Sequence, residues 1–215
     1  MKRLQDNVTL ITGGGKGIGF GLATAFAREG SNLVITGRTE SRLLSAKERL
    51  ESEYGIEVLP LVADGADEAS VKSVVKAALD RFGKINTLIN NAQTSKSGLP
   101  LVEHSKADFD LAIDSGLYAA FFYMRECFPA LKAVKGSVIN FASGAGLFGK
   151  LGQSSYAAAK EGIRGLSRVA AAEWGPDGVR VNVVCPLAMT ESLQQWKEQY
   201  PDLFEKTIQG IPLGH

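Results

Sequence analysis

"NVTLITGGGKGIG", residues 7–19, decides the fold. Residues 7–12 form a short run rich in β-branched and apolar side chains, which reads as a buried strand. The run ends on glycines, and a helical stretch follows through Glu29. Glycines at a strand-to-helix junction allow a tight turn. They also let the backbone approach a pyrophosphate at the helix N-terminus. The spacing is TGxxxGxG, with Gly13, Gly17 and Gly19, rather than GxGxxG. A flexible connection is the alternative. The position directly after the first strand favours a dinucleotide. The candidate contacts are Thr12, Gly13, Gly15, Lys16, Gly17, Ile18 and Gly19.

Outward from this turn, short strand-like runs alternate with longer amphipathic ones. "NLVIT" (32–36) is a second strand, and "ESRLLSAKERLESEY" (40–54) is a helix that stops at Gly55. "IEVLPLVA" (56–63) is a third strand, weakened by Pro60. A helix over 67–82, the strand "INTLIN" (85–90) and one long helix over 106–132 follow. "GSVINFAS" (136–143), a helix over 154–174 and "VRVNVVCP" (179–186) complete the series. Alternation of this kind implies right-handed crossovers and a parallel sheet covered on both faces. With no repeat, low-complexity tract or linker, the expected fold is α/β: one doubly wound, Rossmann-type domain over residues 1–215. Such folds bind ligands beyond the carboxyl ends of their strands.

Composition excludes several classes of function. The 215 residues suffice for a single α/β domain with a full core. A net charge of +1 leaves no large field to attract nucleic acid or anionic lipid. "MKRLQDNVTLIT" lacks the apolar stretch of a signal peptide, and "LYAAFFYM" stops at Arg125, short of a membrane span. Cys127 and Cys185 belong to no CxxC or Cys/His cluster, and His104 and His215 are isolated, so no metal site is expected. A reducing, cytoplasmic setting fits.

Four further stretches carry chemistry. In "TGRTE" (36–40), Gly37 stands where a ribose-binding acid belongs, and Arg38 follows. Arg38 can pair with a 2′-phosphate, and Lys16 adds a second positive charge, which favours NADP(H) over NAD(H). The alternative is a solvated Arg38 with Glu40 on the ribose. "NNAQ" (90–93) and "FASGAG" (141–146) each follow a strand, and the Ser143 hydroxyl can bond a substrate carbonyl. In "YAAAK" (156–160), Tyr156 and Lys160 share one helix face across small alanines. An ammonium there favours phenolate. Taken alone, those five letters also describe an ordinary surface helix.

Together, in this order and over essentially the whole length, these motifs resemble the short-chain dehydrogenase/reductase (SDR) family. The match adds Asp64 after the third strand, the Asn90–Ala92 triplet, and Pro186 with Thr190 after the sixth. The resemblance implies that Tyr156 is the general acid/base. It implies that Lys160 lowers the tyrosine's pKa while binding the nicotinamide ribose, and that Ser143 orients the substrate oxygen. It also implies that Asp64 contacts adenine, that the Asn90 region lines the adenosine side and that the Thr190 region contacts the carboxamide. The expected substrate is a small alcohol or carbonyl compound, and the expected assembly is a homodimer or homotetramer.

Three positions depart from the family pattern. Gln93 replaces a glycine, Leu187 replaces another, and Gly116 stands where the family carries a catalytic asparagine that holds a water. Gly116 predicts a break in the long helix, or else a dinucleotide-binding sensor or scaffold that has lost turnover. The end at "IPLGH" omits an expected last strand and is read as a truncation, the alternative being a genuinely short end. Leu193, Trp196, Tyr200 and Phe204, with Leu147 and Phe148, are candidates to wall a pocket for a hydrophobic ketone such as a steroid or acyl chain. The alternative for them is the core face of a helix.

Overall fold

A computed structural model describes residues 2–199 and 201–211. Among these residues six strands form one parallel sheet: β1 (Val8–Thr12), β2 (Asn32–Gly37), β3 (Val58–Val62), β4 (Thr87–Asn90), β5 (Ser137–Phe141) and β6 (Arg180–Val184). Their order is β3-β2-β1-β4-β5-β6. Chain order reverses direction between β1 and β4, and that switch point is where such sheets open a ligand crevice.

β1 is buried at every position because helices cover both of its faces. Its side chains alternate between two cores. Leu10 joins Val34, Leu88 and Val138 on the face covered by α3 (Glu68–Phe82), α5 (Ala119–Val134) and α7 (Ser154–Trp174). Ile11 joins Leu33, Ile35 and Ile89 on the face covered by α1 (Gly17–Arg28) and α2 (Glu40–Tyr54). Pro60 does lie in β3, opposite Ile35. β3 is an edge strand, where a residue without an N–H is tolerated.

The expected helix over 106–132 is not uniform. It begins as α4 (Lys106–Ala112), capped by the reciprocal Ser105–Asp108 pair, passes through a π-helical stretch (Ile113–Tyr118) and continues as α5. Gly116 sits inside the π-helical stretch. The short α6 (Gly144–Phe148) went unassigned in the sequence reading, and the segment after Thr190, for which a helix was one of two readings, forms α8 (Glu191–Gln199) and α9 (Pro201–Gln209). No described helix is long and apolar enough to cross a membrane.

Candidate active site

A cleft of about 420 Å³ opens over the carboxyl ends of β1, β2 and β4. Thr12 ties its two sides together. The Thr12 Oγ1 atom accepts from the backbone N–H groups of Asn91 and Ala92, both at 3.0 Å. The Asn91 side chain returns a bond from Nδ2 to the Thr12 carbonyl at 2.9 Å. Gly13, Gly15, Lys16, Gly17, Ile18 and Gly19 line the cleft as expected. Gly13 has φ +69°, and a Cβ on Gly19 would collide with the Gly13 carbonyl oxygen. The turn and the start of α1 therefore pack too closely for any side chain at position 19.

Arg38, Asp64, Asn90, Ala92 and Thr190 also line the cleft. Arg38 is exposed and donates from Nη2 to Thr94 Oγ1 at 3.1 Å. Glu40 is not among the lining residues, but Arg42 is, and its Cβ backs Gly15. Arg42 was missed in the sequence reading; four residues beyond Arg38, it returns to the same end of the cleft at the start of α2. Asn90 spends its Nδ2 on Asn140 Oδ1 at 2.8 Å, and Asn140 in turn donates to Ser167 at 2.8 Å. This buried chain links β4 and β5 to α7. Thr94 and Ser115 were also missed. The Ser115 Oγ accepts from the Thr94 N–H at 3.0 Å, and its one proton lies within reach of both the Thr94 and the Leu111 carbonyls, so the π-helical stretch holds the loop after β4. Neither residue type signals such a role in sequence.

Ser143 follows β5, and α7 carries Tyr156 and Lys160; none of the three is among the cleft-lining residues. Lys160 is 4% exposed, and its Nζ donates to the Phe141 carbonyl at 2.6 Å. That bond ties α7 to the strand end two residues before Ser143. The same Nζ lies 5.5 Å from the centroid of the Tyr156 ring. Burial pushes the Lys160 ammonium down from 10.5 to about 8. Tyr156 and Ser143 are each half-buried. The Ser143 Oγ accepts the Ala145 N–H at 3.1 Å as the N-cap of α6. That bond uses a lone pair and leaves the hydroxyl proton free to donate. Pro186, half-buried just past the end of β6, is not among the cleft-lining residues.

Around this end the surface is apolar. Phe148 is 86% exposed and Leu151 94%, with Leu187 and Met189 exposed on the segment after β6. Tyr200 and the side chain of Trp196 lie outside the described residues, as does His215. Leu193 and Phe204 are half-buried on α8 and α9. Among the described residues no group of three His, Cys, Asp or Glu side chains stands close enough to hold a metal.

The chain is 62% identical to a 12α-hydroxysteroid dehydrogenase of Clostridium sp., covering 98% of this chain and 83% of that one. Its fold superposes on NAD+-bound xylitol dehydrogenase with a TM-score of 0.93 at 25% identity, over 100% and 88% of the two chains. It also superposes on L-sorbose reductase from Gluconobacter frateurii, complexed with NADPH and L-sorbose. There the TM-score is 0.87 at 29% identity, over 94% of this chain and 78% of the other. The short chain dehydrogenase family model matches residues 7–201, and the chain belongs to that family.

Proposed function

We propose that this chain is an NADP(H)-dependent dehydrogenase of a hydroxyl group on a steroid-like, largely apolar substrate. The observation that carries the reading is the Lys160 tether: one buried cation fixed to the end of β5, beside Tyr156 and two residues from Ser143. The dinucleotide, when bound, supplies or accepts the hydride. The cleft fits it. Gly13, Gly15, Gly17 and Gly19 present backbone without side chains to the cleft, where a pyrophosphate can approach, and Lys16, Arg38 and Arg42 offer cations to a 2′-phosphate.

The remaining chemistry belongs to the chain. Tyr156 takes the proton from the substrate hydroxyl during oxidation and returns it during reduction. Lys160 faces the negative charge left on the phenol oxygen, and its buried setting strengthens that attraction. Ser143 donates its free hydroxyl proton to the substrate oxygen and orients it. The exposed Phe148, Leu151, Leu187 and Met189 give an apolar substrate a surface that a sugar would not use. Identity with the Clostridium protein supports position 12 of a steroid as the reacting carbon. The reading of the chain as an inactive sensor rested on Gly116 and on the early end of the sequence, and gains no support from these relatives.

The test is absorbance at the nicotinamide band with 12α-hydroxysteroid and 12-oxosteroid substrates, using each dinucleotide. Turnover with NADP(H), and an affinity for NADPH about tenfold or more above that for NADH, is expected from charge-assisted phosphate bonds of ~1.5–3 kcal/mol. Equal affinities remove the cofactor assignment, and turnover of sugars but not steroids removes the substrate class.

A further inference from the structure

Gln93 and Gly116 each looked anomalous alone, and the structure brings them together. A Cβ on Gly116 would lie 2.7 Å from Gln93 Cδ, 2.8 Å from Nε2 and 3.0 Å from Oε1. The terminal carboxamide of Gln93 therefore fills the space that a side chain at position 116 would take. Its Nε2 donates to the Ala112 carbonyl at 3.4 Å, at the start of the π-helical stretch. Its Oε1 is buried and has no hydrogen-bond donor among the described residues. Both residues line the cleft. The same stretch packs on α7 through Leu117, whose Cδ2 would lie 2.8 Å from a Cβ on Gly162, two residues beyond Lys160. The carboxamide thus joins the loop after β4 to the element that presses on the lysine helix.

We propose that Gln93 is a positioning residue for proton transfer. Its Nε2 holds the widened turn at 113–118, and its Oε1 accepts from a water that exchanges protons on the Lys160 side of the site. A buried amide oxygen left without a donor is costly, so the geometry calls for a donor small enough to enter beside Gly116. Gly116 follows from Gln93: the amide arrives from the loop, and the helix must make room. This rests on the proposed assignment of Tyr156 and Lys160 to proton transfer.

The test uses the intact chain and four variants: Gln93→Met, Gln93→Gly, Gly116→Asn and the double Gln93→Gly/Gly116→Asn. Gln93→Met keeps the volume and removes the amide. Loss of the Nε2–Ala112 bond is expected to lower its melting temperature by a few degrees at most, and its dinucleotide affinity is expected to match the parent. Its kcat falls roughly tenfold or more, as misplacement of a proton path costs, while KM is unchanged and the solvent deuterium isotope effect on kcat rises. Gly116→Asn alone displaces Gln93 and lowers both kcat and melting temperature. The double variant, which supplies an amide from the helix instead, recovers kcat relative to either of its single variants, and that non-additivity measures the pairing.

Parent-like kcat in Gln93→Met overturns the proposal. So does a loss confined to dinucleotide affinity, which would place the Oε1 on the cofactor, and so does a double variant no better than its worse single. A parent that turns over no alcohol or ketone overturns the proposed function and this role with it. An active parent with an equally active Gln93→Met overturns this role alone.

Discussion

Lys160 is asked to stay charged in a place that disfavours charge. Its folded pKa, near 8, is below the unfolded value, so the native state binds fewer protons between about pH 8 and 10.5. Its contribution to stability is therefore smallest below pH 8, fully present above 10.5, and lost as pH falls through the folded value. Two other buried groups act in the opposite sense. Burial raises the Cys127 thiol and pushes the Tyr123 phenol up to about 12, so their contributions are lost as pH rises. A difference isolates the lysine. The stability of the parent minus that of Lys160→Met is expected to grow from pH 7 to pH 10.5, measured by urea unfolding of both proteins; a flat or shrinking difference rejects the buried-cation account. In the proposed mechanism Tyr156 carries the proton itself. Tyr156→Phe is expected to keep dinucleotide affinity within about twofold and to lower kcat by ~10²–10⁴, the usual worth of general acid/base help. Substantial residual turnover would move the proton to another group.

At the scale of elements, the turn between β1 and α1 is set by contact distance. Gly19 lies against the Gly13 carbonyl and the Asn91 Nδ2, so Gly19→Ala forces backbone against backbone. Such a clash cannot be relieved by a rotamer, and the Thr12–Asn91 bonds that join the two loops are next to it. Fluorescence titration is expected to show dinucleotide affinity falling tenfold or more, and thermal melting a lower midpoint; unchanged affinity would show that α1 can slide. How far sequence reveals such elements depends on where their cause lies. Helix α2 was legible to the residue, because Glu40–Tyr54 is amphipathic and Gly55, at φ +65°, stops it. The turn glycines and the Tyr156–Lys160 spacing were legible because local geometry dictates them. The π-helical stretch was legible only as an oddity at Gly116. Its shape depends on Gln93, 23 residues earlier and outside any window of helical periodicity. The short α6 escaped notice because five residues hold too little pattern, and its Ser143 cap reads equally as a loop serine. Arg42 escaped because its role follows from where a helix begins beside a neighbouring turn.

Across the whole molecule, the sheet separates three tasks. The cleft proposed for the dinucleotide opens at its switch point, the apolar surface proposed for the substrate lies toward the carboxyl ends of β5 and β6, and the outer faces of α5 and α7 are left over. Those faces form a second groove, lined by Phe121, Met124, Arg125, Phe128, Leu166 and Trp174 among others. Part of this apolar surface serves the chain's own core: Ala170 is 4% exposed, and Phe128 packs against Trp174 at 4.6 Å between ring centroids with the rings tilted by 30°. Ala170 is therefore not available to a partner. Val169 is, at 55% exposure beside the same groove. An apolar groove between two long helices, with charged residues such as Arg125 and Glu173 at its rim, has the composition of a self-complementary contact. The expected assembly is at least a dimer through α5 and α7. Sedimentation at micromolar concentration is expected to show dimer or larger for the parent. Val169→Glu adds a like-charged pair near the axis without disturbing the protomer's core, so it is expected to sediment as monomer with an unchanged far-ultraviolet circular dichroism spectrum. A parent that sediments only as monomer rejects assembly itself, and a Val169→Glu variant that keeps the parent's assembly moves the contact to another face.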